Sequence, residues 1–127
     1  MALQTTVSGD LVFGTPGEIA FDTPTTVTTG IVNSASAANN VFGRAFTYNS
    51  LTVESMQAGG TGAFAGILIN PKGSAYQNID SALTAGDSIA NGRQAEFLSE
   101  GEVYVALTTT GGNIDADIYF VNATGEI

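Results

Sequence analysis

Two pairs of carboxylates are the residues of this chain best spaced for chemistry. Glu100 and Glu102 flank Gly101, and Asp115 and Asp117 flank Ala116. On a strand, a spacing of two projects both members to one face, the geometry for sharing a proton or a metal ion. The partners such a site needs are scarce. The 127 residues include no His, Cys or Trp, and Arg44, Lys72 and Arg93 stand against 12 acids, a net charge of −9. Catalysis at neutral pH draws on His or Cys as base or nucleophile, Lys or Arg as clamp, and His and Cys as metal ligands. The abundant Ser and Thr hydroxyls have no evident base. A Ca²⁺ site gathers about six to eight oxygens, and no dense Asp/Asn loop occurs, although Asp80 and Asp87 are available donors. A carboxylate-only glycoside hydrolase would also need a substrate groove rich in aromatics. The pairs therefore read as solvated turn ends, and the chain as a non-enzyme with no cofactor and no metal.

Three further motifs reduce to turns and loops. Gly59-Gly60-Thr61-Gly62 lacks the Lys-Ser/Thr ending of a phosphate-binding loop, and no helical pattern follows it. Asn91-Gly92-Arg93 matches a cell-attachment tripeptide, yet Asn-Gly is above all a tight-turn dipeptide. Asn122-Ala123-Thr124 fits a glycosylation sequon, which has meaning only on secretion.

Composition bounds the class. The length suits one domain, and an apolar fraction of 43% supports a core, while charged residues reach 12%, about half the usual share. A surface so poor in Lys and Glu favours association and points to an assembly subunit. Three cations cannot neutralise a phosphate backbone, so neither nucleic acid nor an anionic membrane is an expected partner. No apolar run approaches the length of a membrane span. The start, Met1-Ala2-Leu3-Gln4-Thr5-Thr6, lacks the basic and apolar regions of a signal peptide, so synthesis in a bacterial cytoplasm is expected.

Along the chain, Thr, Val, Ile, Phe and Tyr recur in short runs bounded by Gly, Pro, Asn and Asp. These predict strands over 18–21, 27–33, 41–48, 51–57, 64–70, 88–90, 95–99, 102–108 and 117–121. Val103, Val105 and Leu107 alternate onto one face. Ala65-Gly66-Ile67-Leu68-Ile69 is continuously apolar, as in a strand buried on both sides. Turns are expected at Tyr48-Asn49-Ser50-Leu51, Ser99-Glu100-Gly101-Glu102 and Gly111-Gly112-Asn113, flexible stretches at 34–40 and 58–62, and one helical turn within 78–84. The fold class is all-β: a small barrel or sandwich of about eight to nine short strands with little helix. Pro16, Gly17 and Pro24 interrupt the first 27 residues, which read as an extended arm or edge segment. Residues 28–127 form the barrel or sandwich domain.

In order and spacing, several pieces carry a family resemblance. They are the Thr-rich start, Thr15-Pro16-Gly17-Glu18-Ile19, Pro24-Thr25-Thr26-Val27, Val41-Phe42-Gly43-Arg44-Ala45 and Phe64-Ala65-Gly66-Ile67-Leu68. Ala85-Gly86-Asp87-Ser88-Ile89, Glu100-Gly101-Glu102-Val103-Tyr104-Val105 and Asp117-Ile118-Tyr119-Phe120-Val121 follow. Over nearly its whole length the chain resembles the structural cement, or capsid decoration, proteins of tailed bacteriophages. That resemblance implies a virion protein on the outer surface of the head, binding the major capsid protein and itself as a homo-dimer or homo-trimer. It also implies a further loop and closing strand after 117–121. This sequence stops at Ile127, as in a shorter member or an incomplete chain, so closure of the barrel is the expectation to check.

The expected interface residues are Leu3, Val7, Pro16, Gly17, Ile19, Phe21 and Pro24 of the arm, which would reach the capsid or a neighbouring subunit. Arg44, Lys72 and Arg93 join them as counter-charges for carboxylates on another protein. For each of these three, an ion pair within the subunit is the competing role. The alternative function is a receptor-binding or tail-tip adhesin module that recognises a host surface glycan, which would place aromatics on exposed loops.

Overall fold

The computed structural model describes residues 16–20, 23–50, 54–70, 88–108 and 113–127. Its strands are β1 (Thr26–Val32), β2 (Ala45–Ser50), β3 (Ser55–Ala58), β4 (Phe64–Leu68) and β5 (Gln94–Glu100), with one 3-10 turn at Ala37–Asn39. They close into a barrel in the order β1-β3-β2-β4-β5. Neighbours are antiparallel except β1 and β3, which run parallel at Ile31↔Ser55 and Val32↔Met56. On its other side β1 pairs with β5 from Thr26↔Glu100 to Ile31↔Gln94. Closure is thus the work of β1, and it does not involve 117–121.

The chain is all-β, as its sequence implies, and the described residues hold fewer laddered strands than the eight to nine expected. Five strands form ladders among the described residues. Segments 18–21 and 102–108 meet at the single bridge Ile19↔Val103. Around it Gly17 N donates to Tyr104 O (2.8 Å), Tyr104 N to Glu18 O (2.9 Å) and Ala20 N to Glu102 O (2.9 Å). Val41 and Ser88 make another single bridge, and 117–121 joins no ladder. The reason is geometric. A closed barrel has no free edge for extra strands, so the remaining extended segments lie over its outside. There, alternation in the sequence accompanies a few crossing hydrogen bonds and not a ladder. Asn49 and Ser50 belong to β2 and not to a hairpin turn, because Ser50 pairs with Ser55 across a bulge. Leu3, Val7, Phe21, Lys72, the helical turn within 78–84 and Gly111-Gly112 lie outside the described residues.

Inward positions fill the barrel. Val32, Phe46, Met56, Leu68 and Phe97 are fully buried, and the rings of Phe46 and Phe97 tilt at 49° with centroids 5.2 Å apart, a favourable aromatic arrangement. Two such rings in a five-stranded barrel leave little room for other side chains. Gly30 supplies room on β1: a Cβ there would strike Met56 Sδ and lie 2.7 Å from Glu54 O.

Two polar devices fix the segments around the barrel. Asn91 Nδ2 donates to Ser34 O (2.9 Å) while Asn91 Oδ1 accepts from Ser34 N (3.0 Å) and from Asn40 Nδ2 (2.8 Å). Ser34 Oγ in turn accepts from Ala58 N (2.8 Å). The amide thereby ties the loop after β1 to the turn before β5. The second device holds the last residues. Arg44 Nη2 pairs with Glu126 Oε1 at 2.8 Å, and Nη1 donates to Thr124 O and Asn39 Oδ1, both at 3.2 Å. Beneath it Ala45 N donates to Gly125 O (2.9 Å) and Gly60 N to Asn122 O (2.6 Å). Gly125 is buried at φ +74°, where a Cβ would collide with Ala45 O, so this crossing requires glycine.

Three stability predictions follow from these contacts. Gly30→Ala should lower unfolding free energy by about 1–3 kcal/mol through overpacking, measured by denaturant titration. Arg44→Ala should cost about 1–2 kcal/mol, since its bonds are charge-assisted but partly solvated. In the same variant, hydrogen exchange should quicken first at the Ala45 and Gly60 amides. Asn91→Ala should destabilise by about 1–3 kcal/mol because it strands polar groups of Ser34 and Asn40, whereas Arg93→Ala, at an exposed position, should leave the unfolding midpoint unchanged.

Candidate functional site

The outer face of the barrel carries an apolar row where β2, β4 and β5 lie side by side. Ala45 pairs with Ile67, and Ile67 with Leu98. In β5 the side chains of Phe97 and Leu98 are both buried although they are consecutive. A strand can bury two neighbours in this way when its outer face is also covered. The same holds for β4, whose apolar run is buried on one side by the barrel interior and on the other by segments lying outside.

Those segments do not cover the row completely. Between the stretch after β5 and the C-terminal stretch lies an open groove of about 670 Å³, floored by Ala45, Ile67 and Leu98. Val103, Tyr104 and Val105 form one wall, and Ile118, Phe120 and Ile127 the other. Phe64 stacks at the mouth against Phe120, with ring centroids 6.2 Å apart. The backbone of the first wall is held by the bonds to residues 17–20. The second is anchored where Thr108 N and Oγ1 both donate to Ile127 O, at 2.8 and 3.1 Å.

The rim is acidic. Glu100 and Glu102 line the groove, and both are exposed; Glu100 Oε2 accepts from Thr26 Oγ1 at 3.1 Å. Asp115 and Asp117 are exposed on the neighbouring C-terminal stretch. Among the described residues no group of three or more His, Cys, Asp or Glu is placed to hold a metal ion. At the groove wall and beyond it the C-terminal stretch presents Ile114, Ile118 and Tyr119 at 95%, 69% and 78% exposure. Apolar side chains this exposed in one short stretch are characteristic of contact surfaces. Chemically, the arrangement can bind apolar groups and attract cations beside them.

The structure separates the residues expected at an interface. Pro16, Ile19 and Pro24 are exposed, while Gly17 is buried within the subunit, its carbonyl accepting from Asn70 N at 2.8 Å. Arg44 is committed to Glu126, the intramolecular role that competed with an intermolecular one. Arg93 is exposed. The groove itself was not foreseen from the sequence, which assigns its walls to barrel strands. Two signals for it exist: the adjacent apolar pair Phe97-Leu98, which breaks the alternation of β5, and the unalternated run Ile118-Tyr119-Phe120-Val121.

Comparison with known proteins gives a family. No curated protein matches the chain. The model of the structural cement protein family (E217 gp24/Pam3 gp6) matches residues 3–127, which is nearly the entire sequence. A match of that extent takes in the barrel, the pinned C-terminal stretch and both walls of the groove, and the chain therefore belongs to the phage structural cement protein family.

Proposed function

We propose that this protein binds the outer surface of a tailed-phage head as a homo-dimer or homo-trimer and stabilises contacts between major capsid protein subunits. The observation that carries the reading is the family match over residues 3–127. Supporting it are the low share of charged residues and the exposed apolar side chains of the C-terminal stretch, both suited to a surface that is covered on assembly. Stable protein interfaces bury about 1,200–2,000 Å², and each Å² of apolar area removed from water contributes about 25 cal/mol before the costs of association. Seated across a joint between capsomers, the subunit adds area that internal DNA pressure must expose before the shell opens. An outside position also suits a net charge of −9, because packed DNA repels it.

In this reading residues 1–27 form an arm that reaches the capsid or a neighbouring subunit, with Leu3, Val7, Pro16, Ile19, Phe21 and Pro24 in contact. Arg93 and Lys72 supply counter-charges to carboxylates of the partner. The protein is a virion component made in the host cytoplasm, with no enzymatic role and with neither nucleic acid nor membrane as partner. The exposure of Tyr119 favours a second reading, a module that stacks an aromatic on a host glycan. Its neighbours Ile114 and Ile118 are aliphatic and also exposed, which fits a protein surface better than a sugar.

Purified protein mixed with expanded heads that lack it should co-sediment and raise their thermal disruption temperature. Failure on both counts, or binding on a glycan array without binding to heads, would overturn the proposal.

A further inference from the structure

Resting on that reading, we infer that the groove over Leu98 and Ile67 is the capsid-binding face, and that its occupant is a segment of the major capsid protein bearing apolar side chains flanked by Lys or Arg. The groove is apolar, with Ala45 and Leu98 buried at its floor and Ile118 exposed on its wall, so it favours an apolar group that leaves water. The rim decides which kind of segment brings it. Glu100 and Glu102 stand at the groove, and Asp115 and Asp117 flank Ala116 on the exposed stretch leading to Ile118. Carboxylates placed around an apolar patch admit a cationic partner and penalise an anionic one.

Charge complementarity also argues against a second copy of this chain as the occupant. The whole chain has three basic residues to 12 acidic ones, and Arg44 is already paired with Glu126. Two copies meeting at this rim would therefore bring carboxylates mostly against carboxylates. A partner that carries Lys or Arg on either side of its apolar anchor neutralises the rim and fills the floor in one step. Glu100 and Glu102 thereby act as a charge filter at the contact.

The test uses the full chain, expanded heads that lack it, and two groove variants: Glu100→Lys with Glu102→Lys, and Ile118→Asp. Glu54→Lys with Glu96→Lys is the control, since it makes the same change of net charge at exposed positions outside the groove. All replaced positions are exposed, so each variant is expected to melt as the unmodified chain does. Both groove variants should weaken binding to heads about tenfold or more, with the control close to the unmodified chain. Binding of the unmodified chain should fall as salt is raised, and the salt dependence should flatten in the double Lys variant. If the unmodified chain binds heads and both groove variants bind equally well, this inference is wrong and the capsid-binding reading stands. If the variants keep head binding but lose oligomers in light scattering, the groove is a contact between copies and the inference is again wrong. If the unmodified chain does not bind heads, both fall.

Discussion

The structure depends on how little space a five-stranded barrel encloses. Phe46 and Phe97 occupy its centre in tilted contact, packed with Val32, Met56 and Leu68. Met56 fills the gap beside β1 because Gly30 has no side chain of its own, a use of methionine's flexible thioether that a branched residue would not match. Close packing of this kind fixes which strands face each other. From it follows the placement of β1 between β3 and β5, which closes the barrel and removes every strand edge.

Removing the edges determines where the rest of the chain can go. Residues 16–20, 101–108 and 113–127 are extended and rich in apolar side chains, yet they cannot extend the sheet. They lie over the outside instead, held by a few backbone hydrogen bonds, by the Arg44–Glu126 pair and by the Gly125 crossing. In the C-terminal stretch these anchors fall at residues 122–127, which leaves Ile114, Ile118 and Tyr119 before them facing water. The groove is the space between two such coverings. Its existence is thus a consequence of barrel closure and of the spacing of the anchors.

The charge distribution gives this surface its selectivity. A protein with 12 acids and three bases is protected from associating with its own kind wherever its carboxylates are exposed, and it is open to partners of opposite sign. One of the three bases serves internally, tying the chain end to the start of β2. That use is structural, and it shows why a rare cation in an acidic chain need not face outward: with acids on every side, the nearest partner is within the molecule.

The sequence by itself determined the class of this protein: all-β from its short runs of β-branched and aromatic residues, and a member of one family from the order of its motifs. The course of Thr26–Val32 and the burial of the Ala65–Ile69 run were also legible there, since both follow from local periodicity and propensity. Strand number, barrel closure, the partner of Arg44 and the role of Asn91 were decided by tertiary structure. Alternation along a chain reports that one face is covered, but it carries no information about whether a ladder or a crossing segment covers it. Contacts such as Asn91 with Ser34 or Arg44 with Glu126 join residues 57 and 82 positions apart, and no local pattern encodes a pairing at that range. The groove belongs to the same category, because its floor and walls come from five separate stretches that only the closed barrel brings together.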